Sequence, residues 1–192
     1  MAINEIINNL IQTTLKHGKV ISLALSGASI SILLYYLLRA MSGIDPFYPV
    51  GTNMVDREIT LIPNLVYMKP ITIFVITTYI AYVVGLTTMS NHVVKKWNKK
   101  MLDFIDMLAL TFAFISGYEI LFNFTLWSAL ISSITINGLP QDNIDLLYNS
   151  FPNPDTPWNI VFATKIFTLI FSMCLTTLFF TSKWRRLKKV IQ

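Results

Sequence analysis

Few residues in this chain have side chains able to do chemistry, and two of them sit where charge is costly. Glu119 lies in the apolar run TFAFISGYEILFNFTLW, eight residues before Trp127, and Lys165 lies in WNIVFATKIFTLIF, seven residues after Trp158. With the two tryptophans marking one membrane interface, helical rise places both charges roughly 10–12 Å beneath it. An isolated charge there costs at least ~2.5–3.5 kcal/mol on insertion scales. A Glu119–Lys165 ion pair between neighbouring helices is therefore expected. Its plain role is to lock two helices, because one pair without further polar residues is not a proton or ion relay. The competing account has Lys165 snorkelling to the surface and Glu119 protonated.

The remaining candidates are weaker. Asp103 and Asp106 lie three apart on one helical face, just after KKWNKK. They have the chemistry to hold a proton or a hard cation, but acidic residues near a helix start also favour the dipole and pair with nearby lysines. The second reading is preferred. His17 and His92 are the only histidines. Two histidines on adjacent helices can ligate haem, yet neither falls within hydrocarbon, so solvated interfacial histidines are expected. No His/Cys/carboxylate cluster has metal-ligand spacing, and no cofactor is expected. Asn123-Phe124-Thr125 matches a glycosylation pattern but lies too near the bilayer to be an acceptor. The single cysteine, Cys174, sits in an apolar segment and excludes an internal disulfide or a thiolate cluster within the chain.

These residues are carried by long apolar blocks. The chain is 54% hydrophobic and 13% charged, about half the charge of ordinary soluble domains. Four stretches provide the ~20 apolar residues a span needs, approximately 19–41, 71–90, 104–134 and 159–181. The third is overlong, so it must tilt or protrude. The fold class expected is an all-α polytopic membrane protein: one domain over 1–192, built as a four-helix transmembrane bundle. A short N-terminal amphipathic helix should precede the first span, because Ile3, Ile6, Ile7, Leu10 and Ile11 recur at helical spacing. A plain helical extension of that span fits equally. Residues 2–15 lack a basic n-region, so no cleavable signal is expected.

Loops follow from punctuation. Residues 42–69 carry Pro46, Pro49, Gly51 and Pro63, which excludes a long helix. Residues 137–157 are acidic and Pro-rich, with Ile144, Leu146, Leu147, Tyr148 and Phe151 forming a small apolar cluster. Lys16, Lys19, Lys95, Lys96, Lys99, Lys100 and the tail 182–192 (Lys183, Arg185, Arg186, Lys188, Lys189) put eleven basic residues on one side. Arg39, Arg57 and Lys69 put three on the other. That imbalance expects both termini in the cytoplasm and the two loops outside. The net charge of +5 then belongs to topology and to anionic lipids, met through Lys95, Lys96, Lys99, Lys100, Arg185 and Arg186, rather than to nucleic acid.

The first span carries small residues, Ser22, Ser26, Gly27 and Ser29 among them, which permit close helix approach. Thiol oxidoreductase chemistry needs a CxxC, and haem-b carriers need histidines within the membrane. Both patterns are absent. The function expected is a non-catalytic, accessory subunit of a larger integral membrane complex, such as an oxidoreductase or monooxygenase assembly, in the cytoplasmic membrane. Alternatives are a small oligomeric transporter or channel using Glu119 and Lys165, and a lipid-acting enzyme or assembly factor. Topology has a direct check: in a Cys174→Ala background, Asn53→Cys and Asp145→Cys should react with impermeant maleimide from outside only. Labelling of either from the cytoplasmic side would reverse the assignment.

Overall fold

Helices dominate the computed structural model, which describes residues 2–42, 54–55, 59–62, 66–135 and 158–191. They are α1 (Ala2–Met41), α2 (Pro70–Lys96), α3 (Lys99–Thr135) and α4 (Trp158–Ile191), and all four are long and apolar enough to span a membrane. An apolar phase leaves backbone N–H and C=O groups no partner but each other, and an apolar run of this length satisfies them as one helix. Between α1 and α2 lies a two-stranded antiparallel hairpin, β1 (Ile59–Ile62) and β2 (Val66–Met68), pairing Ile59 with Met68 and Thr60 with Tyr67. The sequence reading excluded a long helix there but did not foresee strands. The clue was β-branched and aromatic residues on either side of Pro63-Asn64.

Helix boundaries follow local chemistry. Pro70 opens α2 where its missing N–H is no loss, and the carbonyl of Lys69 accepts from the N–H of Thr72 at 2.9 Å and of Ile73 at 3.2 Å. Asn98 caps α3, its side-chain oxygen accepting from the N–H of Met101 at 2.8 Å. The hydroxyl of Ser42 donates to the Arg39 carbonyl at 3.0 Å and closes α1.

One expectation needs correction. α1 is one unbroken helix of 40 residues, so residues 2–15 extend the first span and no separate amphipathic helix precedes it. No proline interrupts the segment, and the helix runs through Gly18. The expected tail at 182–192 is also helix, because α4 runs on to Ile191. Lys188 and Lys189 in its last turn complement the negative end of the helix dipole. α3, at 37 residues, is overlong as expected. The loop 137–157 lies outside the described residues.

The chain forms two compact units, each drawing on all four helices: 1–31, 76–114 and 170–192 in one, 32–75 and 115–169 in the other. In the first unit, α1 meets α2 through small residues. A Cβ on Gly18 would collide with the Thr88 side chain, and one on Gly85 would press on the Ser22 hydroxyl at 3.3 Å. Ser22 donates to the Ala81 carbonyl at 2.8 Å, and Ser29 and Thr77 share a hydroxyl bond at 2.8 Å. α2 meets α4 through two more side-chain bonds, Tyr79 with Thr176 at 2.9 Å and Tyr82 with Thr177. Val93, Leu102, Phe180 and Trp184 form its buried apolar cluster. In the second unit Tyr36, Met54, Val55 and Ile71 do the same.

The contact between Gly18 and Thr88 sets a measurable expectation. Gly18→Ala should destabilise the bundle by about 1–3 kcal/mol through overpacking. Adding Thr88→Ser, which removes the obstructing methyl, should recover most of the loss. Detergent unfolding followed by circular dichroism measures both, and a harmless Gly18→Ala would mean the helices do not approach here.

Candidate functional site

Polar side chains gather in two places, one in each unit. In the first, Asp103 and Asp106 on α3 face Arg185 on α4. Arg185 Nη2 lies 2.8 Å from an Asp103 oxygen and 2.5 Å from Asp106 Oδ2. Thr181, fully buried, donates its hydroxyl to the other Asp106 oxygen and so orients that carboxylate. Next to Arg185 in sequence, Trp184 is buried and its indole N–H donates to Ser90 of α2 at 2.8 Å. Trp97, in the connection between α2 and α3, packs edge-on against Trp184 with ring centroids 6.2 Å apart.

This arrangement corrects the reading of the two aspartates. They do not serve the neighbouring lysines or the first turn of α3. They bind an arginine some eighty residues away in sequence. The reason is geometric: the i, i+3 spacing aims both carboxylates along one face, and the continued helix of α4 carries Arg185 to that face. A guanidinium can satisfy two carboxylates at once, which an ammonium does less well. The site is an interhelical clamp. Beside it opens a cavity of about 540 Å³ lined by Trp97, Leu102, Arg185 and four lysines.

The second unit holds Lys165. Its ammonium donates to the hydroxyl of Thr72 on α2 at 2.6 Å. Among the described residues the ion pairs are those of Arg185, and none joins Glu119 to Lys165. The expected pair is thus not formed. Spacing from a tryptophan along the chain carries no information on direction around the helix axis. On α3 the buried positions are Leu102, Ala109, Ala113, Ser116 and Asn123, and Glu119 lies roughly 80° from the centre of that stripe at 3.6 residues per turn. Glu119 is only half-buried. Lys165 lines a shallow groove with Ile120, Asn123, Phe124 and Trp127. Asn123 is buried with its amide nitrogen unpartnered in the described structure.

The other candidates are dispersed. His17 and His92 are both exposed. Among the described residues no three His, Cys, Asp or Glu side chains gather as a metal site. Cys174 is a half-buried free thiol on an open apolar groove of about 480 Å³ with Tyr82, Phe112 and Met173. On α1, Ser22 and Ser29 are engaged by α2, Ser26 is half-buried, and Gly27 is exposed with nothing within 4 Å of an added Cβ. The hydroxyl contacts of Tyr79 and Tyr82 escaped the sequence reading. Their trace was two tyrosines three apart on α2, matched by the adjacent Thr176 and Thr177 on α4.

Comparison with family models, with curated proteins and with solved structures finds no match to this chain. The site's own geometry is that of an ionic clamp at Lys/Arg-rich ends of helices long and apolar enough to span a membrane. The clamp has unequal arms, since the Asp106 side chain is 25% exposed and that of Asp103 is 49%. Water screens the more exposed arm more strongly. Double-mutant cycles using Arg185→Met should give a coupling of about 1–2 kcal/mol with Asp106→Asn and under about 1 kcal/mol with Asp103→Asn. Equal couplings, or none, would show that Asp106 is not the anchoring partner.

Proposed function

We propose that this chain is a non-catalytic accessory subunit of a larger integral membrane complex, held in the cytoplasmic membrane with both termini inside. The observation that carries the reading is a second small-residue face on α1. Gly18, Ser22 and Ser29 lie on the face used by α2. Ala24, Gly27, Ala28 and Ser31 lie together on another, rotated by roughly 150° at 3.6 residues per turn, and all four are exposed.

Gly18 and Gly85 each have a neighbour that explains them, whereas Gly27 has none within 4 Å. Glycine inside a helix costs about 1 kcal/mol relative to alanine. Small side chains also present little surface to lipid tails, and their advantage in a bilayer is close approach by another helix. Large apolar residues flank this face, with Leu23 76% and Ile30 56% exposed. The pattern is that of a helix with one neighbour inside the chain and a second one outside it. The distribution of Lys and Arg supports the orientation, eleven on one side against three on the other. Among the described residues no three His, Cys, Asp or Glu side chains gather as a metal site, and the reading requires no catalytic residue.

Mild-detergent extraction from the native membrane, native electrophoresis and mass spectrometry test this directly. The chain should migrate with a fixed set of other membrane polypeptides. Gly27→Leu should release it from them while leaving its own melting temperature within a few degrees, since none of the described residues comes within 4 Å of a Cβ added there. A particle containing this chain alone would overturn the proposal.

A further inference from the structure

The cavity beside the Arg185 clamp collects more positive charge than the clamp uses. Lys96 ends α2, Lys99 begins α3, and Lys188 and Lys189 lie in the last turns of α4, and all four line it. No carboxylate is in its wall. Asp103 and Asp106 face Arg185 instead, so the lysine charges are left without an internal counterion among the described residues.

The convergence is built into the fold. A two-residue connection, Trp97-Asn98, holds the ends of α2 and α3 together, and the bonds Met101 N–H to Asn98 and Trp97 N–H to the Val93 carbonyl fix its course. The clamp and the Trp184–Ser90 bond bring the end of α4 to the same place. Like charges so gathered repel one another, and Lys99 at the start of α3 also opposes the positive end of that helix's dipole. An anion in the cavity relieves both costs.

The cavity is not purely ionic. Trp97 and Leu102 supply an apolar wall beneath the ammonium groups, and tryptophan beside a basic cluster at a span end marks the headgroup level of a bilayer. At about 540 Å³ it has the size of a small-molecule site, too large for a bare phosphate ion and suited to a headgroup with its first carbons. Basic pockets between transmembrane helices are known to take multiply charged lipid headgroups. We propose that this cavity binds one lipid whose headgroup carries at least two phosphate charges. Four ammonium groups leave most of their charge unmatched by a single phosphodiester, and a bisphosphate headgroup spans them. This site is independent of the subunit reading and fails or stands without it.

The test uses the full chain purified into phosphatidylcholine nanodiscs. Diphosphatidylglycerol is compared with phosphatidylglycerol at twice the molar amount, which matches total charge, and with free pyrophosphate. Native mass spectrometry counts retained lipid, and melting temperature reports stabilisation. One diphosphatidylglycerol should be retained per chain in preference to phosphatidylglycerol. Lys99→Gln with Lys188→Gln should weaken it roughly twentyfold, about fivefold per lysine. Lys19→Gln with Lys183→Gln, outside the cavity, should change it less than about twofold. In phosphatidylcholine alone the Lys99→Gln/Lys188→Gln variant should melt no lower than the parent, since it sheds the repulsion that the anion would relieve, and Lys99→Arg with Lys188→Arg should retain binding if the glutamines disturb folding. Equal retention of the two lipids at matched charge, or equal loss in the control variant, would reduce the effect to general surface attraction and overturn the site. Saturable pyrophosphate binding with the same lysine dependence and no lipid preference would overturn the lipid assignment in favour of a soluble phosphate.

Discussion

In hydrocarbon, a polar group without a partner is costly, and this constraint organises the described structure at every level. The backbone answers it with four uninterrupted helices. Side-chain hydroxyls answer it by bonding one turn back: Thr111 to Met107, Thr125 to Leu121, Ser128 to Phe124 and Thr168 to Thr164. These exposed Ser and Thr residues are polar in composition but offer little to a neighbour. They explain how helices bearing so many hydroxyls still present apolar surfaces.

Where a hydroxyl reaches a second helix, it decides which helices are neighbours. Within the first unit, α2 receives Ser22 and Ser29 from α1 on one side and offers Tyr79 and Tyr82 to α4 on the other. Thr176 and Thr177 also bond their own i−4 carbonyls, so each hydroxyl participates in two contacts at once. Shared bonds of this kind gain from mutual polarisation. Gly18 and Gly85 permit the required closeness between α1 and α2. Packing and hydrogen bonding thus act on the same surfaces, as expected where no hydrophobic effect separates helices from lipid.

The four spans were legible because length and apolarity are one-dimensional properties, visible along the chain. Direction around a helix axis is not. For that reason the similar spacings of Glu119 from Trp127 and of Lys165 from Trp158 along the chain led to a pairing the structure does not contain. Lys165 meets Thr72 instead. Likewise Asp103 and Asp106 were seen to share a face, but their partner was sought in the adjacent lysines. Arg185 reaches them because α4 continues as helix through the basic tail at 182–192. The hairpin at 59–68 was hidden by prolines that exclude helix without excluding strand.

A division of labour among the basic residues follows from these placements. Arg185 faces inward, held by two carboxylates and oriented by its neighbours, and its role is to join α3 to α4. Lys96, Lys99 and Lys189 are exposed at helix ends and have no such partners. Guanidinium chemistry suits the first task, because a planar fork can bridge two carboxylates. Ammonium groups suit the second, being compact point charges on flexible stems that can adjust to a phosphate. The same short region therefore does two things that a count of charges would merge. It fixes the helix ends with an arginine, and it leaves lysines in a fixed array facing outward. The small-residue face of α1 repeats this logic without charge: one stripe is consumed by α2, and the other, containing Gly27, has no neighbour among the described residues. The face of α1 that carries Gly27 is held in place by the contacts that Gly18, Ser22 and Ser29 make with α2.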